Sequence, residues 1–194
     1  MNNQYSFSEF IKTVYSLAMT RLTIPQARLI RRPVYVRGAK SLAGCKRLTT
    51  GRFCRFDLEG RKKTLWIGDD CEFGDMAHIV AHERVEIGDH ALLASKVFIS
   101  DTSHGNYKSG DQSYAEEPPK KRRLVTEPVK IGRNVWIGEN VVVLAGARIG
   151  DGCVIGANSV VAGEILPGRM AAGAPARVIK RYDSKAGLWV TDNK

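Results

Sequence analysis

Several things are scarce in this chain, and each scarcity excludes something. The 194 residues hold four cysteines, Cys45, Cys54, Cys71 and Cys153. No two of them form a C-x-x-C pair and their spacings match no zinc site, so they are expected to be buried or incidental thiols. No apolar run approaches the roughly 18 residues that a membrane-crossing helix needs. The opening "MNNQYSFSEF" lacks the basic start and apolar run of a secretory leader, which points to the cytoplasm. Acidic residues are scarce in one region. Residues 1–63 hold 14 Lys or Arg against 3 Asp or Glu, whereas residues 64–194 hold 16 against 17. The whole positive excess therefore lies in the first third. It suggests an anionic partner: a lipid headgroup, an anionic glycan or nucleic acid.

What is abundant is a period of six. In "IGRNVWIGENVVVLAGARIGDGCVIGANSVVAG", Ile131, Ile137, Val143, Ile149, Ile155 and Val161 stand six apart, and four of them precede Gly. The same phase holds through Ile67, Phe73 and Ile79, and after a slip through Ile87, Leu93 and Ile99. Neither a helix nor a long strand has that period. Three six-residue strands make one triangular turn, each sending one aliphatic side chain inward, with Gly near the corners. Stacked turns pair as parallel strands around a continuous core, so the pattern predicts an all-β solenoid. Four coils are expected, beginning at Ile67, Ile87, Ile131 and Ile149.

Two segments stand outside the period. Residues 6–24 read as a helix: Ser6 and Glu9 make a capping box, Phe7, Ile11, Val14, Ala18 and Leu22 share one face, and Pro25 limits it. That stripe is expected to cap the open end of the solenoid; a membrane-surface helix followed by "RLIRR" is the alternative. Residues 26–63 have no clear phase and are expected to hold one or two irregular coils. Residues 100–128 break the phase with polar sequence and a Pro pair, and predict a long loop leaving the prism. Its "KKRR" reads as a solvated tip or as a contact for an anionic acceptor or cofactor phosphate.

The hexads, the interrupting loop and the ending "AGAPARVIKRY" resemble the hexapeptide-repeat acyltransferases, and in particular the sugar O-acetyltransferases of lipopolysaccharide O-antigen or capsule biosynthesis. The resemblance covers residues 64–182. It implies a left-handed β-helix, acetyl-CoA as co-substrate, a sugar or polysaccharide acceptor and a homotrimer with sites between subunits, and neither a metal nor a nucleic-acid partner. The division expected is a basic N-terminal helix and irregular cap over 1–63, the acyltransferase domain over 64–182, and a tail over 183–194.

Acetyl transfer from a thioester to a sugar hydroxyl needs a base, and histidine is matched to that task. His104 in "SDTSHGNY" lies on the loop beside Gly105, and it matches the loop histidine of the similar enzymes. Asp101, three residues earlier, is expected to fix its tautomer as in a dyad. His90 falls at an outward hexad position and reads as surface. His78 and His82 stand four apart, but the hexad phase forbids the helix that would make them a metal pair. His78, Asp75 and Tyr107 are expected to contact the acceptor. The resemblance further places Trp136 of "VWIG" along the acetyl–pantetheine arm, and Arg177 and Lys180 at the 3′-phosphate of CoA. Ala157, Ala162 and Gly163 fall where backbone can approach pantetheine. Where relatives often carry Thr-Lys this chain has Ala162-Gly163, which removes one cationic contact. Three other functions compete: N-acetyl transfer to an amino sugar; a zinc carbonic anhydrase of the same prism, using His78, His82 and His104; and a non-enzymatic binding module docking through the basic arm.

Overall fold

A computed structural model describes residues 6–108 and 110–192. After one helix, α1 (Phe7–Thr23), the chain winds through three parallel sheets that form the faces of a prism of about seven turns. One face holds seven parallel strands, from Leu29–Ile30 through Leu92–Leu93, Trp136–Ile137 and Val154–Ile155 to Arg169–Ala172. It will be called the Trp face. The second holds six, including Cys54–Leu58, His78–Ala81, Phe98–Ser100 and Val160–Val161, and will be called the His face. The third also holds six, and its outward row of Trp66, Glu86, Lys130, Arg148 and Glu164 is mostly charged.

The register explains the period. Ile131 lies beside Ile149, Ile137 beside Ile155 and Val143 beside Val161, so residues 18 apart stack on the same face. All six are buried in one continuous core with Ile67, Phe73, Ile79, Ile87, Leu93 and Ile99. The position four residues after several of these large side chains is also buried and small, as at Ala77, Ala91, Ala147 and Cys153. The thiols Cys71 and Cys153 occupy such positions, and all four cysteines are free and buried. Burial pushes the Cys54 and Cys71 thiols up to about 11, so they behave as small apolar groups.

The glycines act differently from the expectation. Left-handed backbone at the corners is adopted largely by other residues, among them Asp70, Met76, Lys96, Asn134, Asn140 and Asn158. The Gly of each Ile-Gly pair instead permits close stacking of coils: a Cβ on Gly74 would lie 2.5 Å from the Ser95 nitrogen, and one on Gly132 2.6 Å from the Asp151 nitrogen.

Residues 29–58 are more regular than their sequence suggests. Thr49–Thr50 joins Leu29–Ile30 to Glu72–Phe73, and Cys54–Leu58 joins Val34–Arg37 to His78–Ala81. The same three sheets thus extend N-terminal to residue 64. At the other end, the strand Arg177–Asp183 reverses against Arg169–Ala172, and Leu188–Thr191 pairs with it, so residues to 191 extend the Trp face as an antiparallel hairpin.

Helix α1 forms as its capping box predicts, with the Ser6 side chain accepting from the Glu9 nitrogen. It lies against the edge strand Leu29–Ile30, but with the opposite face from the one expected. Ser16 and Thr20 are buried, at 2% and 0% exposure, while Phe7, Ile11, Val14 and Leu22 are exposed. The reason is the open backbone of that edge. Thr20 Oγ1 accepts from the Ile30 nitrogen at 2.9 Å and donates to the Ser16 carbonyl, and Ser16 Oγ accepts from the Arg32 nitrogen. Among the described residues no helix is long and apolar enough to cross a membrane.

Candidate active site

The chain leaves the prism at Asp101 and returns at Glu127. The strand Thr102–His104 pairs antiparallel with Leu124–Thr126, so the loop has a two-stranded stalk, and His104 sits at its outer end opposite Leu124. The Gly105 nitrogen donates to the Arg123 carbonyl and closes the stalk. Gly105 has φ +114°, and a Cβ there would meet Tyr107 Oη at 2.5 Å. That space matters because Tyr107 Oη donates to the His104 carbonyl at 2.6 Å. Arg122 in turn donates to Tyr107 Oη and to the Glu117 and Ala115 carbonyls. One member of "KKRR" therefore stitches the loop rather than lying free at its tip. Lys108 and Glu127 form an ion pair across the stalk. The His104 imidazole is exposed to solvent on this braced platform.

Asp101 does not orient His104. Its side chain is fully buried, and both carboxylate oxygens accept from the backbone: His82 N at 3.0 Å, Glu83 N at 2.7 Å and Arg84 N at 2.8 Å. Its own carbonyl accepts from the returning Glu127 nitrogen. Asp101 is thus a rivet at the loop base, and the dyad expectation is corrected: the carboxylate lies inward of the stalk, bound to a turn of the preceding coil.

The remaining candidates divide between two corners of the prism and the Trp face. Thr102–Ser103, Leu144–Ala145 and Ala162–Gly163 stack at the corner between the His face and the charged face, where Thr102, Leu144 and Ala145 share a cleft of about 220 Å³. Ala157 lies at the corner between the Trp face and the His face, as does Asp75, whose Oδ1 accepts from the Arg52 nitrogen. Trp136 is 52% exposed on the Trp face. Its outward row runs Leu92, Trp136, Val154, Met170, Lys180, so Trp136 and Lys180 share one line about 14 Å apart at ordinary strand spacing. Arg177 begins the strand that carries Lys180. A single chain therefore presents His104 and Tyr107 on one corner, with Ala162 and Gly163 beneath them. It presents Ala157 and Asp75 on another, with Trp136 and Lys180 on the adjoining Trp face.

Between these corners lies a pair that the period of six did not single out. His78 Nε2 is 3.0 Å from Asp57 Oδ2 on adjacent strands of the His face, and the His78 ring leans on Phe98 at 5.2 Å. Burial works to raise the Asp57 carboxyl, but hydrogen bonds from Arg55 and His78, with the charges of Arg55 and Arg37, outweigh it and hold it below its ordinary value. His78 thus stands outward on the face, paired with Asp57. His90 is exposed at a corner, as expected. Among the described residues no three His, Cys, Asp or Glu side chains gather as a metal site would need, and His78, His82 and His104 do not converge.

Comparison with known proteins defines the class. The family described as bacterial transferase hexapeptide (six repeats) matches residues 128–163. The Escherichia coli (strain K12) protein WbbJ, assigned as a lipopolysaccharide biosynthesis O-acetyl transferase, is 41% identical over 187 residues, 96% of this chain and 95% of its own. A galactoside acetyltransferase solved in complex with coenzyme A superposes with a TM-score of 0.56 at 29% identity, covering 87% of this chain and 69% of its own. An acetyl-CoA complex of a hexapeptide-repeat acetyltransferase from Vibrio cholerae O1 biovar eltor shares the fold, with a TM-score of 0.62 at 23% identity over 92% of this chain and 91% of its own. The chain belongs to the hexapeptide-repeat acetyltransferases.

Proposed function

We propose that this protein transfers an acetyl group from acetyl-CoA to a hydroxyl of a sugar in a cell-surface polysaccharide, O-antigen or capsule, or in its precursor, in the cytoplasm. The likeness to WbbJ across nearly the whole chain supports the acceptor class, and the likeness to a galactoside acetyltransferase bound to coenzyme A supports the donor. The observation that carries the chemistry is the braced, solvent-facing His104 at the end of the loop stalk. A ring nitrogen of His104 takes the proton of the sugar hydroxyl. The oxygen attacks the thioester carbonyl carbon, and a backbone N–H steadies the tetrahedral oxyanion. The C–S bond breaks, and the imidazolium returns its proton to the CoA sulfur. Transfer is direct: all four thiols are buried and their pKa values are raised, so none serves as an acyl-carrying nucleophile.

In this reading Trp136 lies along the pantetheine arm, Ala157, Ala162 and Gly163 let its chain approach the backbone, and Arg177 and Lys180 receive the 3′-phosphate. Asp75, His78 and Tyr107 face the acceptor. The separation of His104 from Trp136 on one chain favours a composite site, with the loop of one copy facing the Trp face of the next. Three rods around a three-fold axis give three such grooves with closed symmetry, so the working form is a homotrimer. The test is transfer of radiolabelled acetyl from acetyl-CoA to O-antigen or capsular oligosaccharides. Ester-linked label that is lost on mild alkaline treatment supports O-acetylation. Alkali-stable label on an amino sugar would assign N-acetyl transfer instead.

A further inference from the structure

Among the described residues nothing covers the main apolar arc of α1. Taken around the helix at 100° per residue, Leu17, Phe10, Val14, Phe7, Ala18, Ile11, Leu22 and Tyr15 form one continuous arc, interrupted only by Arg21. All eight are exposed, Phe7 by 79%. The opposite face, with Ser16 and Thr20, is fixed to the first coil by the hydrogen bonds to Ile30 and Arg32. Glu9 pairs with Arg52 and holds the N-terminal turn as well. The helix is thus clamped with its apolar side outward, although the solenoid offered an apolar core to cap.

The segment that carries the helix is basic. Through residue 70 the chain has 14 Lys or Arg against Glu9, Asp57, Glu59, Asp69 and Asp70, an excess of nine. Those carboxylates already lie against Arg28, Arg47, Arg52, Arg55 and Arg61, so local pairing is included in that figure. A cleft of about 650 Å³ opens along the flank of the helix, lined by Lys12, Tyr15, Arg32, Pro33, Arg52 and Phe53. Cations and aromatic rings beside an apolar helix face match the boundary between anionic headgroups and acyl chains. A second copy of the chain matches less well. It would bring the same positive excess, and residues 64–194 supply a net charge of only −1 to meet it.

We propose that α1 docks the protein on an anionic phospholipid bilayer, with its apolar arc in the interface and the surrounding basic residues on the headgroups. This holds whichever acceptor the enzyme uses.

The experiment is co-sedimentation of the full chain with vesicles of phosphatidylglycerol and phosphatidylcholine, and of phosphatidylcholine alone. Binding is expected only to the anionic vesicles, and to weaken with salt. Phe10→Asp with Val14→Asp should lower that binding at least tenfold. Lys12→Glu should lower it about fivefold or more, since each basic residue near an anionic surface contributes about a factor of five. Both variants keep their circular dichroism and their oligomeric state. Three results overturn the proposal: no sedimentation of the wild type with anionic vesicles, equal binding to neutral vesicles, or apolar variants that bind normally. A Phe10→Asp, Val14→Asp protein that loses its oligomeric state would show instead that a second copy covers the helix.

Discussion

Replacing Asp101 with Ala separates two roles that the sequence alone confounds. As the partner of His104, Asp101 would matter for turnover and little for stability. As the buried acceptor of three backbone N–H groups, it matters for stability first. A hydrogen bond to a charged group is worth about 1.5–3 kcal/mol, and a buried donor left unmade costs about 1–3 kcal/mol. Three donors lose their acceptor at once, and water entering the vacated space restores part of the loss. The expected destabilisation is about 3–5 kcal/mol, below the sum of three separate bonds. At ~2–4 °C per kcal/mol for a chain of this size, the melting midpoint falls by roughly 6–20 °C. The assay is thermal unfolding beside the pH–rate profile of kcat/KM, measured well below the new midpoint. The structural role predicts a lowered midpoint and an acid limb at unchanged pH. An unchanged midpoint with a large fall in kcat, or an acid limb moved to lower pH, would restore Asp101 to a dyad.

His104→Ala should leave the melting midpoint and CoA binding intact and lower turnover by roughly 10² or more, the range for losing a general base, as steady-state kinetics on the acceptor will read. Trp136→Ala and Arg177→Ala should both weaken CoA binding in calorimetry, but dephospho-CoA should be penalised by the wild type and hardly by Arg177→Ala. No thiol should react with an alkylating reagent at pH 8 in the folded protein and all four after unfolding, because burial both hides them and raises their pKa values. Asp70 is held down to about 2 by its hydrogen bond to Arg47 and by the charges of Arg47 and Arg28. The stability from that cluster is therefore present above its ordinary value of 3.8 and lost as pH falls toward 2; in an Asp70→Asn variant that part of the acid dependence disappears.

How far the sequence is legible depends on whether the determining contacts repeat. From Ile67 to Val161 a large aliphatic or aromatic side chain faces the core every sixth residue within each phase, and the period places the strands of the prism, including resumption after the loop, where Ile87 lies beside Ile131. The first coils were not legible in part because Thr50 takes the inward place that Phe73, Leu93, Ile137 and Ile155 take in the coils stacked after it. Their left-handed corners also fall on Cys45, Arg47 and Phe53, none of which marks a turn. The helix misled for a different reason. Apolar periodicity identifies a face that wants cover, but the edge strand needed hydroxyl groups more than aliphatic cover, and Ser16 and Thr20 met that need. The proximity of Asp101 and His104 in sequence suggested a dyad, whereas the amides that Asp101 serves lie 17 to 19 residues earlier, on the preceding coil. The His78–Asp57 pair is likewise invisible locally, since its members come together only when consecutive coils stack.

The proposed site is a groove between copies, with His104 from one chain and Trp136 from its neighbour. Mixing His104→Ala and Trp136→Ala proteins, exchanging their subunits, and assaying at acetyl-CoA far below the KM of the Trp136 variant tests it directly. In random equal mixtures about a quarter of the grooves in a closed ring join an intact His104 to an intact Trp136, so activity should return to about that fraction of wild type. No recovery after subunit exchange has been verified, or full activity in a protein that light scattering shows to be a monomer, would rule out a site shared between copies.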